Sequence, residues 1–157
     1  SGGPEPVTPT LVGLLDFRPP LITPALIGAN VLWYAVGIVL ALRQGQTPSA
    51  ALAAPLLTVV EQLGGMSADD LLRGEWGLFV TCMFVHLGFW HLAMNTVALG
   101  TTGPVAELLW GRWRALAVYL LAGVAASAAA MAFRPVGPGD VPVVVAGASG
   151  AIWGLMG

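Results

Sequence analysis

The sequence predicts an all-α fold, a polytopic transmembrane helix bundle with three complete spans and the start of a fourth. Its 157 residues are 57% hydrophobic and have a mean hydropathy of +0.82. Only 9% are charged, against roughly 25% in soluble domains. The six basic and eight acidic side chains are clustered, so residues 19–42, 76–106, 115–133 and 141–157 contain no Asp, Glu, Lys or Arg. A bilayer-spanning helix needs about 20 predominantly apolar residues. The first three intervals each accommodate one, and the fourth stops at Gly157 inside an apolar run.

Residues 1–20 open on Ser1 without a Met and are rich in Pro and Gly. They predict a flexible polar lead-in without the basic start of a signal peptide. Residues 21–157 then read as a partial membrane domain expected to continue past Gly157. The first span, over 22–42, is closed by the polar and helix-breaking run Arg43 to Pro48. Residues 49–73 are interrupted by Pro55, Glu61 and Gly64-Gly65, and Ser67 stands as an N-cap ahead of Asp69 and Asp70. They predict short helices in an interfacial loop. The second span is expected within 78–99, followed by a short polar connection through Gly103, Glu107, Gly111, Arg112 and Arg114. The third covers 113–133, where Gly123, Ala126, Ser127 and Ala130 present small side chains that let helix backbones approach closely in lipid. Residues 134–140 predict a loop, and the fourth span is expected from about residue 143. Arginines divide equally between the two sides, but Arg112 and Arg114 lie at a span end, which leans the orientation toward a cytoplasmic N-terminus.

All six basic residues are Arg and the net charge is −2, so there is no basic patch and nucleic acid is excluded as a partner. The lipid bilayer is the environment the composition implies. Cys82 is the only cysteine; it cannot form an internal disulfide and reads as a small buried hydrophobe. Polar groups inside hydrocarbon are costly and mark functional candidates, which singles out His86, His91, Asn95 and Ser149. His91 and Asn95 lie one turn apart on one helix face, whereas a continuous helix would turn His86 roughly 140° away from His91. Two buried polar side chains can also simply hydrogen-bond across helices. Ser149, within Ala146-Gly147-Ala148-Ser149-Gly150, carries a lone hydroxyl among residues with almost no side chain. A carbonyl could approach it there while the backbone N–H stays accessible. The competing reading is a packing surface made with Gly150 and Gly154.

Taken together these motifs resemble the rhomboid intramembrane proteases. His86-x4-His91-x3-Asn95, following Trp76-Gly77-Leu78, resembles that family's second transmembrane helix. Gly103-x3-Glu107-x3-Gly111, with Arg112 and Tyr119 after it, resembles the approach to its third, and Gly147 to Leu155 resembles its active-site segment. The run Thr23 to Val31 resembles its first-helix opening. The resemblance covers about residues 22–157 and implies a rhomboid-like bundle of six helices in a multi-pass protein of a bacterial plasma membrane. It implies Ser149 as nucleophile, activated by a histidine beyond Gly157. His91 and Asn95 become oxyanion donors, and Gly147, Ala148, Gly150 and Trp153 become substrate-side positions, Trp153 where an aromatic packs on the catalytic imidazole. His86 and Glu107 take structural roles. It implies no cofactor, no metal, and a transmembrane protein with a locally unwound helix as substrate. Two features depart from the pattern: Gly77 and Leu78 replace the usual Trp-Arg ahead of the second helix, and neither His86 nor His91 is free to serve as the base.

Three rival readings differ in chemistry. An inactive relative that binds membrane clients has no need of Ser149 together with both oxyanion side chains. A membrane metalloenzyme would want ligands on one face, but His86 and His91 are five apart and no His-Glu-x-x-His is present. A transporter would line a path with charge, yet every carboxylate lies outside the spans or at their ends.

Overall fold

The computed structural model describes residues 19–133 and 144–157. The elements run α1 (Ile22–Arg43), α2 (Pro48–Ala53), α3 (Leu57–Gln62), α4 (Ala68–Leu72) and α5 (Leu78–Thr81). A 3-10 turn (Cys82–Phe84) follows, then α6 (Phe89–Trp110), α7 (Arg112–Ala132) and α8 (Ser149–Met156). Among the described residues the only β pairing is an isolated antiparallel bridge between Met66 and Val145. The all-α expectation therefore holds. By length and composition α1 and α7 can each cross a membrane, and α5 with its 3-10 turn joins α6 as a third span only as a pair bent by 95°. The expected lead-in, the loop over 134–140 and the start of the fourth span near residue 143 fall wholly or largely outside the described residues.

The second span differs from its expected form. It is broken between Phe84 and Phe89, and the helix after the break continues to Trp110. Gly103 and Glu107, expected in a polar connection, are helical, and the link between α6 and α7 is Gly111 alone, at φ 82°. That positive φ lets one residue separate two long helices, and glycine adopts it without a Cβ clash. Glu107 is helical because its charge is used inside the protein. The first amides of a helix lack intrahelical acceptors, and α1 has no local side-chain cap. Glu107 supplies one from α6. Its Oε2 accepts from the N–H groups of Leu21 and Ile22 at 2.9 and 3.1 Å, and its Oε1 accepts from Thr23 N–H and Oγ1–H, both at 2.7 Å. A carboxylate at a helix N-terminus also meets the positive end of the helix dipole. A Cβ at Gly103 would lie 2.3 Å from Thr23 Oγ1, so its missing side chain is what lets the two helices close.

The segment between α1 and α5 forms short helices, as expected. Trp33 Nε1–H donates to the Leu63 carbonyl at 3.0 Å, and the Tyr34 hydroxyl donates to the Leu52 carbonyl. Ala51, Val59, Val60 and Leu63 pack with Ala41 and Val85 in a core of their own. At the start of α4 the Ser67 N–H and Oγ–H donate to Asp70 Oδ2 at 2.7 and 2.6 Å, and Arg73 pairs with the other carboxylate oxygen; the expected cap is thus reversed, with the helix carboxylate accepting from Ser67 and not the Ser67 hydroxyl from a helix amide. The main core joins α6, α7 and α8 through Met83, Leu99, Tyr119 and Ile152. On α7, Ala122 and Ala126 meet α8: a Cβ at Gly154 would come within 2.1 Å of the Ala122 Cβ, and one at Gly150 within 2.3 Å of the Ala126 Cβ. Gly123 admits Met83 and Ser127 is buried, but Ala130 is exposed and takes no part.

Glu107→Ala strands four donors at the start of α1. An unsatisfied buried donor costs about 1–3 kcal/mol, so the purified protein in detergent is expected to melt at a lower temperature, with Glu107→Gln recovering part of the loss. The Asp70 carboxyl is held below the ordinary carboxylate range first by the Ser67 hydroxyl, with Arg73 adding to it and burial opposing. A depressed folded pKa stabilises fully above the unfolded value of about 4 and loses that contribution as pH falls through the folded value. Amide protection over residues 67–75 is therefore expected to drop in that acid range, and Asp70→Asn should remove the step.

Candidate functional site

The break before α6 builds one wall of the candidate site. Val85 is extended, and Gly88, also extended, is the residue against which the Ala53 carbonyl packs, so closely that a Cβ there would lie 2.2 Å from the oxygen. The chain turns sharply and starts α6 at Phe89, which puts His91 in the first turn and Asn95 one turn later. The break also corrects the helical-wheel expectation for His86. With no helix across 85–88, His86 is not turned away from His91; the two rings meet edge to face with centroids 5.2 Å apart.

The other wall comes from the strand-like residues ahead of α8. Met66 and Val145 exchange backbone hydrogen bonds at 3.0 and 2.8 Å, and Gly147 N–H donates to the Cys82 carbonyl at 2.8 Å. These bonds press Gly147 onto His91: a Cβ at 147 would lie 2.5 Å from His91 Cε1 and 2.6 Å from Nε2. The φ of Gly147 is 110°, a conformation L side chains rarely adopt. Two independent requirements thus demand glycine there. Ser149 follows two residues later as the first residue of α8, where its own amide has no intrahelical acceptor.

Hydrogen bonding orients the His91 ring. Leu87 N–H donates to His91 Nδ1 at 3.5 Å. Because a backbone N–H can only donate, this contact favours the neutral ring with its proton on Nε2, the nitrogen beside Gly147. Asn95 is 5% exposed and spends one N–H on the His91 carbonyl, at 3.0 Å; its amide holds a second N–H. Donors fixed in advance beside a small-residue segment are the parts an oxyanion site requires.

The remaining expected positions separate. Ser149, Trp153 and Met156 are exposed on one face of α8, Trp153 at 71%. The Ala148 methyl is wholly buried in the core, and a Cβ at Gly150 would meet Ala126 of α7. Glu107 lies twelve residues along α6 from Asn95, about 18 Å at the usual rise, and acts on α1 instead. The Leu87 amide, the Cys82 carbonyl and the bridge through Met66 carry no sequence signal, since every residue but proline offers the same backbone groups. Only the small residues around Ser149, Gly147 among them, hinted at a close approach.

Gly147→Ala adds a methyl where His91 already lies and strains a backbone at φ 110°. The variant is expected to displace the imidazole or the start of α8 and to lower thermal stability by about 1–3 kcal/mol, whereas Gly45→Ala, at φ 88° with open space around it, marks the effect of a positive φ alone.

Residues 73–157 match the family model described as Rhomboid domain. The chain is similar to "Rhomboid protease GluP" of Bacillus subtilis, 38% identical over 94 residues, which cover 60% of this chain and 17% of that protein. It is similar to "Rhomboid protease AarA" of Providencia stuartii, 30% identical over 93 residues, 54% of this chain and 33% of that protein. It is also similar to "RHOMBOID-like protein 1" of Arabidopsis thaliana, 26% identical over 165 aligned residues, 90% of this chain and 41% of that protein. The chain thus spans less than half the length of these relatives. No solved structure matches it significantly. With more than half of its residues inside the family model, and with apolar helices of spanning length, the chain is an integral membrane protein that belongs to the rhomboid family.

Proposed function

We propose that the full-length protein is an intramembrane serine endopeptidase of a bacterial plasma membrane. The observation that carries this reading is the contact of Gly147 with His91. It brings the segment leading into Ser149 against the imidazole whose Nε2–H is available, with Asn95 one turn away on the same helix. The names of the similar proteins, two of which are called rhomboid proteases, support the same chemistry.

In this mechanism Ser149 Oγ attacks a substrate carbonyl while a histidine from a segment downstream of Gly157 takes its proton. The tetrahedral oxyanion is met by His91 Nε2–H, an Asn95 N–H and the Ser149 amide. The protonated base gives its proton to the leaving amine as the C–N bond breaks, and water then resolves the acyl-enzyme. No cofactor or metal takes part. The substrate is a membrane protein whose transmembrane helix unwinds locally, because a peptide carbonyl inside an intact helix is bonded and shielded. The exposed face of α8 through Ser149, Trp153 and Met156 is where that strand and the base would meet.

Ser149→Ala in the full-length protein is expected to abolish cleavage of a model transmembrane substrate without altering the melt; retained cleavage would assign the nucleophile elsewhere. His91→Ala and Asn95→Ala are each expected to lower turnover by about ten- to a thousandfold, the range for an oxyanion donor. Unchanged turnover in both would return them to a packing role.

A further inference from the structure

His86 takes no part in the mechanism, yet it is 3% exposed and touches the His91 ring. Its own ring is anchored on one side only. Nδ1 lies 3.1 Å from the Phe84 carbonyl, and since a carbonyl only accepts, Nδ1 carries the proton. Nε2 is fully buried and has no hydrogen-bond partner among the described residues. The part of His86 that meets His91 is therefore the ring itself and not a hydrogen bond from it.

The position of His86 is set by the break. Its carbonyl partner belongs to the 3-10 turn, and its ring reaches across the 95° bend to the first turn of α6. His91 is therefore held from three directions: the Leu87 amide on Nδ1, Gly147 against Cε1 and Nε2, and His86 across an edge-to-face contact. The first of these is long, at 3.5 Å, and selects the tautomer only while the ring cannot rotate about its bond to Cβ. We propose that His86 is a positioning residue that blocks that rotation, so that His91 presents Nε2–H, and not Nδ1–H, to the segment leading into Ser149. The proposal rests on the reading of His91 as an oxyanion donor, but its geometry does not require turnover.

Ring-nitrogen NMR of the full-length, histidine-labelled protein in detergent or nanodiscs reads the tautomer directly. The wild-type His91, assigned by comparison with His91→Gln, is expected to show one neutral form, with Nε2 protonated and Nδ1 bare. In His86→Leu both tautomers are expected to appear. In His86→Phe, which restores an aromatic ring in the same place, the single form should return. In the cleavage assay His86→Leu should lose kcat by about ten- to a hundredfold, as a small misplacement of a reacting group does, with KM little changed and His86→Phe close to wild type. A wild-type His91 protonated on Nδ1 would overturn the proposal outright, even if His86→Leu fails to fold. A folded His86→Leu protein with the wild-type His91 spectrum would overturn it as well. The spectra decide the point even for a protein that cleaves nothing, so failure of the hydrolytic reading and failure of this one are distinct results.

Discussion

The carboxylate of Glu107 is the constraint on which the rest of the architecture hangs. The first amides of a helix have no intrahelical acceptor, and α1 begins with no cap of its own. One side chain on α6 accepts from three of those amides and a hydroxyl, which ties the start of α1 to the far end of the helix that carries His91 and Asn95. From α1 the attachments continue upward. Trp33 and Tyr34 hold the short helices of the following segment through backbone carbonyls. That segment in turn holds Val145 through Met66, and Val145 leads to Gly147 and the His91 ring.

Close backbone approach recurs at each joint of this frame. Lipid tails are as apolar as the helix faces they cover, so helices in a membrane associate through tight packing and hydrogen bonds more than through hydrophobic burial. Gly103 admits Thr23, Gly88 admits the Ala53 carbonyl, and Gly150 with Gly154 admits the alanines of α7. The candidate site uses the same means. Gly147 lies on the His91 imidazole with no side chain between.

The hydroxyl of Ser149 and the donors of α6 come from elements of different kinds. Asn95 is buried and locked by its own helix, His91 is held by its neighbours, and Ser149 stands on the face of α8 that the described helices leave uncovered.

Composition and the spacing of charges were enough to establish a helical membrane bundle, because transfer of charge into hydrocarbon is penalised wherever the chain folds. The same logic placed α1 and α7 nearly to the residue and picked out His91, Asn95 and Ser149 as polar exceptions inside apolar runs. It misplaced the second span, since Glu107 reads locally as a boundary and is satisfied only by the amides of a helix more than eighty residues away in sequence. It set His86 apart from His91, since a helical period assumes a helix and the break at 85–88 depends on the Ala53 carbonyl packing against Gly88. That the Ala148 methyl is buried and that Gly150 packs on Ala126 of α7 was likewise not legible locally. Periodicity and transfer energy are properties of a segment by itself; which carboxylate caps which helix, and which ring a glycine rests on, depend on contacts between distant segments and exist only once the chain has closed.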